Sequence, residues 1–128
     1  MAGTQRKILL VDDEPSILKT VGKRLQIEGF DLIVAMDGEE ALMKARTLQP
    51  ALIILDLMLP KSDGFDVCAR LKRDDACRQI PVVIFTGRSV EGDEERCLAL
   101  GAAAFVTKVQ RTEELLKQIR PLLGEAPS

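Results

Sequence analysis

Histidine is absent from all 128 residues, and that gap removes more chemistry than any other feature of the composition. It excludes the usual zinc and nickel sites, histidine general-base catalysis and any phosphohistidine formed on this chain. A metal bound here is held by oxygen, which points to Mg²⁺, with Mn²⁺ as the other candidate. Cysteine is scarce as well. Cys68, Cys77 and Cys97 form an odd set without a Cys-x-x-Cys pair, and read as reduced residues in or near helices. No apolar run approaches the ~20 residues of a membrane span, and the segment from Met1 to Lys7 lacks the apolar stretch of a secretory leader. A cytoplasmic location without membrane insertion is the expectation. The formal net charge of -2 gives no electrostatic reason for direct nucleic-acid binding.

What is present is a regular alternation. Hydrophobic residues make up 46% and charged residues 30% of the chain, an ordinary globular balance, and the length predicts one domain over residues 1–128 with its core from about 7 to 123. Lys7 to Val11, Phe30 to Ala35, Ala51 to Leu55, Val82 to Thr86 and Ala103 to Thr107 read as strands. Between and after them lie helical stretches: one entered through Pro15 and stopped by Gly29, and one capped by Asp37 and ended before Pro50. Others run from about Gly64 to Arg73 and from about Asp93 to Leu100, and the last is capped by Thr112. Leu57 to Asp63 reads as a loop. Five βα units predict an α/β, doubly wound, flavodoxin-like domain: a five-stranded parallel sheet, order 2-1-3-4-5, with five helices on both faces.

In such a sheet the polar residues that follow the apolar runs emerge along one edge. Asp12 and Asp13 follow the first strand, Asp56 the third, Thr86 the fourth and Lys108 the fifth. An Asp-Asp pair after a strand is by itself most often a turn or helix cap, and a lone lysine is most often surface. A carboxylate ending a continuously apolar strand, as Asp56 does, needs compensation. Carboxylates facing one ammonium and one hydroxyl are the equipment for holding a divalent cation and a phosphoryl group.

The stretches Leu9-Leu10-Val11-Asp12-Asp13-Glu14-Pro15, Leu55-Asp56-Leu57-Met58-Leu59-Pro60 with Gly64, Thr86-Gly87 and Phe105-Val106-Thr107-Lys108 together resemble the receiver domain of bacterial response regulators, most closely single-domain chemotaxis-type receivers. The resemblance covers about Lys7 to Leu123. It implies that Asp56 accepts a phosphoryl group from a phosphohistidine on a sensor histidine kinase or histidine phosphotransfer protein. It further implies that Asp13, Asp56 and the Met58 carbonyl ligate the cation while Asp12 helps through water, and that Lys108 and Thr86 contact phosphoryl oxygens. Thr86 and Phe105 would then switch the face made by the fourth helix, fifth strand and fifth helix toward a downstream protein target or output domain. The domain would catalyse only its own phosphorylation and dephosphorylation and turn over no independent substrate.

Three positions depart from the usual pattern or tune it. Val109 stands where the family usually has proline, which predicts a trans Lys108–Val109 bond, since a non-proline cis bond costs ~3 kcal/mol, and a less secure aim for Lys108. Met58 and Arg88 are expected to flank the path of hydrolytic water. Ala102-Ala103-Ala104 replaces acidic residues that many relatives use in a dimer, which favours a monomer, with the alanines forming either an apolar docking patch or close packing. Other functions fare worse. An aspartyl-phosphate phosphohydrolase tends to carry Asp-x-Asp and a cap; a flavodoxin-like cofactor carrier needs a phosphate loop rich in Ser, Thr and Gly, where Asp12-Asp13-Glu14 would repel phosphate. A receiver-fold adaptor that works without phosphorylation is kept open by Val109 alone.

Overall fold

Five parallel strands build the central sheet: β1 (Lys7–Val11), β2 (Asp31–Ala35), β3 (Leu52–Leu55), β6 (Val82–Thr86) and β7 (Ala104–Thr107), in spatial order β2-β1-β3-β6-β7. Two short strands, β4 (Met58–Leu59) and β5 (Ser62–Asp63), pair antiparallel as a separate hairpin. The helices are α1 (Pro15–Ile27), α2 (Gly38–Leu48), α3 (Gly64–Arg73), α4 (Asp93–Ala99) and α5 (Thr112–Leu122). The computed structural model describes residues 6–88, 90–110 and 112–124. The expected order 2-1-3-4-5 is therefore found once the hairpin is set aside. The start and tail of the chain, on which the leader and single-domain readings partly drew, lie outside the described residues.

Strand periodicity sorts the core into two layers. Leu9, Val11, Ile53, Leu55, Val82 and Ile84 point to the face covered by α2, α3 and α4, where Leu42, Phe65, Leu71 and Cys97 pack on them. Ile8, Leu10, Leu52, Ile54, Val83 and Phe85 point to the opposite face, under α1 and α5, with Val21, Leu25, Leu115 and Ile119. Both faces being covered explains why β3 is apolar at every position. Each fully buried Leu or Ile contributes roughly 1.5–3 kcal/mol of transfer free energy.

Local signals set the boundaries. Pro15 opens α1 at its first turn, and the Asp37 carboxylate accepts from the Glu40 N–H, capping α2 as expected. Helix α2 ends on a residue that carried no glycine signal. Gln49 takes φ 48° and holds it with its own amide, which donates to the carbonyls of Ala45, Arg46 and Ala76. The stretch expected as a plain loop contains the β4–β5 hairpin, turned by Pro60 and by Lys61 at φ 65°. Thr112 is the first residue of α5 rather than a residue preceding it.

The alanine run resolves toward close packing. Ala102 and Ala104 are buried, one in each core layer, and only Ala103 is exposed. No apolar docking patch forms from them. All three cysteines are free and buried, as anticipated, and burial pushes the Cys97 thiol up to about 11. Among the described residues no helix is long and apolar enough to cross a membrane.

Candidate functional site at the carboxyl edge of the sheet

Each site residue is fixed by the strand it follows. The Asp12 N–H donates to the Ala35 carbonyl at 3.0 Å and the Asp56 N–H to the Val11 carbonyl at 3.1 Å, so both continue the ladder one residue past their strands. The Lys108 N–H donates to the Thr86 carbonyl at 2.8 Å in the same way. Gly64 closes the floor: its N–H donates to the Leu57 carbonyl at 3.1 Å. A Cβ there would lie 2.3 Å from the Leu57 Cα, so only glycine lets α3 start so close behind Asp56.

Asp12, Asp13 and Asp56 each present a carboxylate oxygen, all within 4.8 Å of one another. Asp56 is 3% exposed; its Oδ1 accepts from the Met58 N–H at 3.1 Å and its Oδ2 from Lys108 Nζ at 3.0 Å. The Met58 side chain itself points away from the core and is 61% exposed. Asp12 is 1% exposed, with Oδ1 accepting from the Glu14 N–H at 2.9 Å. Its Oδ2 lies 2.9 Å from Lys108 Nζ, yet among the described residues it is the buried side-chain oxygen left without an aligned hydrogen bond. Burial raises the Asp12 carboxyl above its ordinary range, and the nearby Lys108 ammonium and the hydrogen bond from the Glu14 backbone only partly offset this. A buried carboxylate with an unsatisfied oxygen, in a set made only of oxygen donors, fits a hard divalent cation. Asp12, Asp13 and Asp56 are the side chains that would hold it.

Lys108 crosses the edge to reach this cluster. Burial acts to lower its pKa, but the carboxylates of Glu14, Asp12 and Asp56 set against the ammonium outweigh that and hold it above its usual value. The Lys108–Val109 bond is trans, as expected: the described residues contain no cis peptide. The insecure aim inferred from Val109 is not what the structure has. Lys108 is 9% exposed at its side chain and lies against three carboxylates. Glu14 Oε1, 2.8 Å away, is the partner that sequence reasoning missed; its position directly after Asp12-Asp13 was the available signal.

Thr86 is fully buried and its Oγ1 accepts from the Arg88 N–H at 3.1 Å. Phe105 is half-buried and floors a cavity of about 460 Å³ beside α4, rimmed by Val90, Glu94 and Glu95. Arg88 has partners that sequence reasoning did not foresee. Its guanidinium is turned to the buried Asp93, Nε to Oδ2 at 2.7 Å, and lies over the Phe65 ring, which Arg96 covers at 3.8 Å. Asp93 also accepts from the Val90 N–H, so it fastens the β6–α4 loop. The Arg88 hydrogen bond lowers its pKa.

The sequence matches the family model of the response regulator receiver domain over residues 8–120. The chain belongs to that family. Among curated relatives, the DNA-binding dual master transcriptional regulator RpaA of Synechocystis is 43% identical over 117 residues, 91% of this chain and 48% of the relative. The alkaline phosphatase synthesis transcriptional regulatory protein PhoP of Bacillus subtilis is 42% identical over 92% of this chain and 48% of its own length. This receiver thus spans about half the length of the curated relatives it matches. Among solved structures, the chemotaxis response regulator CheY4 of Vibrio cholerae superposes with a TM-score of 0.84 at 30% identity, over 93% of this chain and 99% of that one. The receiver domain of sensor histidine kinase PA1611 from Pseudomonas aeruginosa, with a magnesium ion coordinated in its active site cleft, gives 0.86 at 25% identity, over 95% and 100%. The protein is a two-component receiver, and receivers of this kind bind Mg²⁺ in an acidic pocket.

Proposed function

We propose that Asp56 is the phosphoacceptor of a receiver unit extending over about residues 7–123. The observation that carries this is the position of its carboxylate, ending an apolar strand 3.0 Å from the Lys108 ammonium and within the oxygen cluster of Asp12 and Asp13. An Asp56 oxygen attacks the phosphorus of a phosphohistidine on a histidine kinase or phosphotransfer protein. A P–O bond forms, the P–N bond breaks, and its electron pair leaves with the imidazole. A bound Mg²⁺, or Mn²⁺ in its place, supplies the charge neutralisation that lets an anion approach these carboxylates. Lys108 provides a second positive centre, and the Thr86 hydroxyl, on moving toward the site, donates to a phosphoryl oxygen.

Output follows as a shift of population in which Thr86 and the half-buried Phe105 repack the α4–β7–α5 face. Phe105 has no hydroxyl, so its preference rests on packing alone. The adaptor alternative depended on Val109 spoiling the aim of Lys108, and loses support from an ammonium already against Asp56. The domain acts on itself alone, gaining and losing its own phosphoryl group. Its partners are the kinase and an output protein or domain. The named relatives are transcriptional regulators twice this length, so nucleic acid enters as the target of such an output region, not of this surface.

Incubation with acetyl phosphate and Mg²⁺, wild type against Asp56→Asn, tests the assignment by intact mass. Wild type gains one phosphoryl group and the variant none; a phosphorylated Asp56→Asn protein would refute it.

A further inference from the structure

We propose that Glu14 is the positioning residue that keeps the Lys108 ammonium at the site once a divalent cation is bound there. The inference rests on the reading of Asp12, Asp13 and Asp56 as the cation cluster.

An ammonium has three protons, and Lys108 Nζ faces three carboxylate oxygens: Glu14 Oε1 at 2.8 Å, Asp12 Oδ2 at 2.9 Å and Asp56 Oδ2 at 3.0 Å. Two of those partners belong to the cation cluster and the third does not. Asp12 and Asp56 would turn their lone pairs to a divalent ion bound there, whose charge would also repel the ammonium. Glu14 is the one partner whose attraction survives that competition.

The backbone of Glu14 is built to hold its place. Its N–H donates to Asp12 Oδ1 at 2.9 Å, and its carbonyl accepts from Ile17 at 3.1 Å and Leu18 at 3.0 Å at the entrance to α1. The other end of Lys108 has no such support. Its N–H is tied to β6, but Val109 after it is 90% exposed. The aim of the lysine is set from its tip. Glu14 is half-exposed, so its charge can serve this role without the desolvation that a buried carboxylate suffers.

The test uses protein labelled with ¹⁵N-lysine, in which an ammonium signal survives solvent exchange only while hydrogen-bonded. Before Mg²⁺ is added, wild type and Glu14→Gln both show the Lys108 signal, because Asp56 remains as a hydrogen-bond partner. With saturating Mg²⁺, wild type keeps the signal and Glu14→Gln loses it, and phosphoryl uptake from acetyl phosphate slows by about three- to tenfold in the variant. Glu14→Asp, with the charge but a shorter reach, behaves like Glu14→Gln. The proposal is overturned if the Mg²⁺-loaded Gln variant keeps its signal, if wild type loses it too, or if Glu14→Asp matches wild type. Asp56→Asn separates the two claims. An inert Asp56→Asn with an unaffected Glu14→Gln removes the tether alone, whereas phosphoryl uptake by Asp56→Asn removes the underlying reading.

Discussion

The two flanks of the sheet's carboxyl edge are built to different standards. On the β1–β3 flank, Asp12 and Asp56 are buried, continue the strand ladder, and lie above a glycine with no room for a methyl group. On the β6–β7 flank, the Thr86 hydroxyl accepts one local hydrogen bond from Arg88, Phe105 is half-buried over a cavity, and Val90, Leu98 and Val109 are exposed. Chemistry needs fixed donors, and a switch needs a segment with little to lose on moving. Lys108 belongs by sequence to the second flank and by contact to the first. The sheet itself runs unbroken through the β3–β6 pairing, and at its edge the Lys108 side chain carries a charge from one flank to the carboxylates of the other.

The largest break in this contrast is expected at Gly64. Gly64→Ala forces backbone apart from backbone at Leu57 and should cost about 3 kcal/mol or more, read as a lowered urea midpoint together with loss of phosphoryl uptake. A cost under about 1 kcal/mol would show that this flank is softer than it looks.

Next comes the cation. Asp12 has a carboxyl raised by burial, so the folded state binds its proton more tightly than the unfolded state. Without metal, stability should fall as pH rises from the unfolded value near 3.8 through the higher folded one. Mg²⁺ at 100 times its dissociation constant should restore about 2.7 kcal/mol. Asp12→Asn should flatten the metal-free acid-to-neutral slope and reduce the Mg²⁺ gain, both measurable by thermal melts with and without chelator. An unchanged slope would detach Asp12 from the cluster's energetics.

On the β6–β7 flank the effects shrink. The Asp93 carboxyl is lowered by Arg88, so its contribution is complete above the unfolded value near 3.8 and disappears as pH falls through the depressed folded value. The melting temperatures of wild type and Asp93→Asn should differ at neutral pH and converge in strong acid. A gap that persists there would mean that Asp93 acts by packing rather than charge. The smallest effect belongs to Val109→Pro. The residue is 90% exposed, and the change should move stability by less than about 0.5 kcal/mol. A larger loss would show that the bond after Lys108 is strained.

How much of this was legible beforehand follows from which signals are local. Apolar runs bounded by Gly and Pro placed the five main strands within one residue at each end, because β1, β3 and β6 are buried on both faces and carry no competing pattern. The sheet order and the convergence of Asp12, Asp13, Asp56 and Lys108 came from topology plus strand-end position. What escaped was held by side chains at a distance. Gln49 adopts a left-handed conformation because its amide bridges to Ala76. The β4–β5 hairpin is too short to register as alternation. Arg88 and Asp93 look like ordinary surface charge until Phe65, from another part of the chain, is laid beneath the guanidinium. Glu14 was read only as repelling phosphate, although its partner is a lysine 94 residues away.

That separation has a consequence for biosynthesis. Lys108 meets partners 94 and 52 positions earlier, contacts that form only after β7 has docked as the last strand at the sheet's edge. A ribosome-bound chain that has emerged through β6 carries every acidic residue of the pocket but not the ammonium. The cluster of Asp12, Asp13 and Asp56 is thus without its buried counter-charge until the final strand is in place.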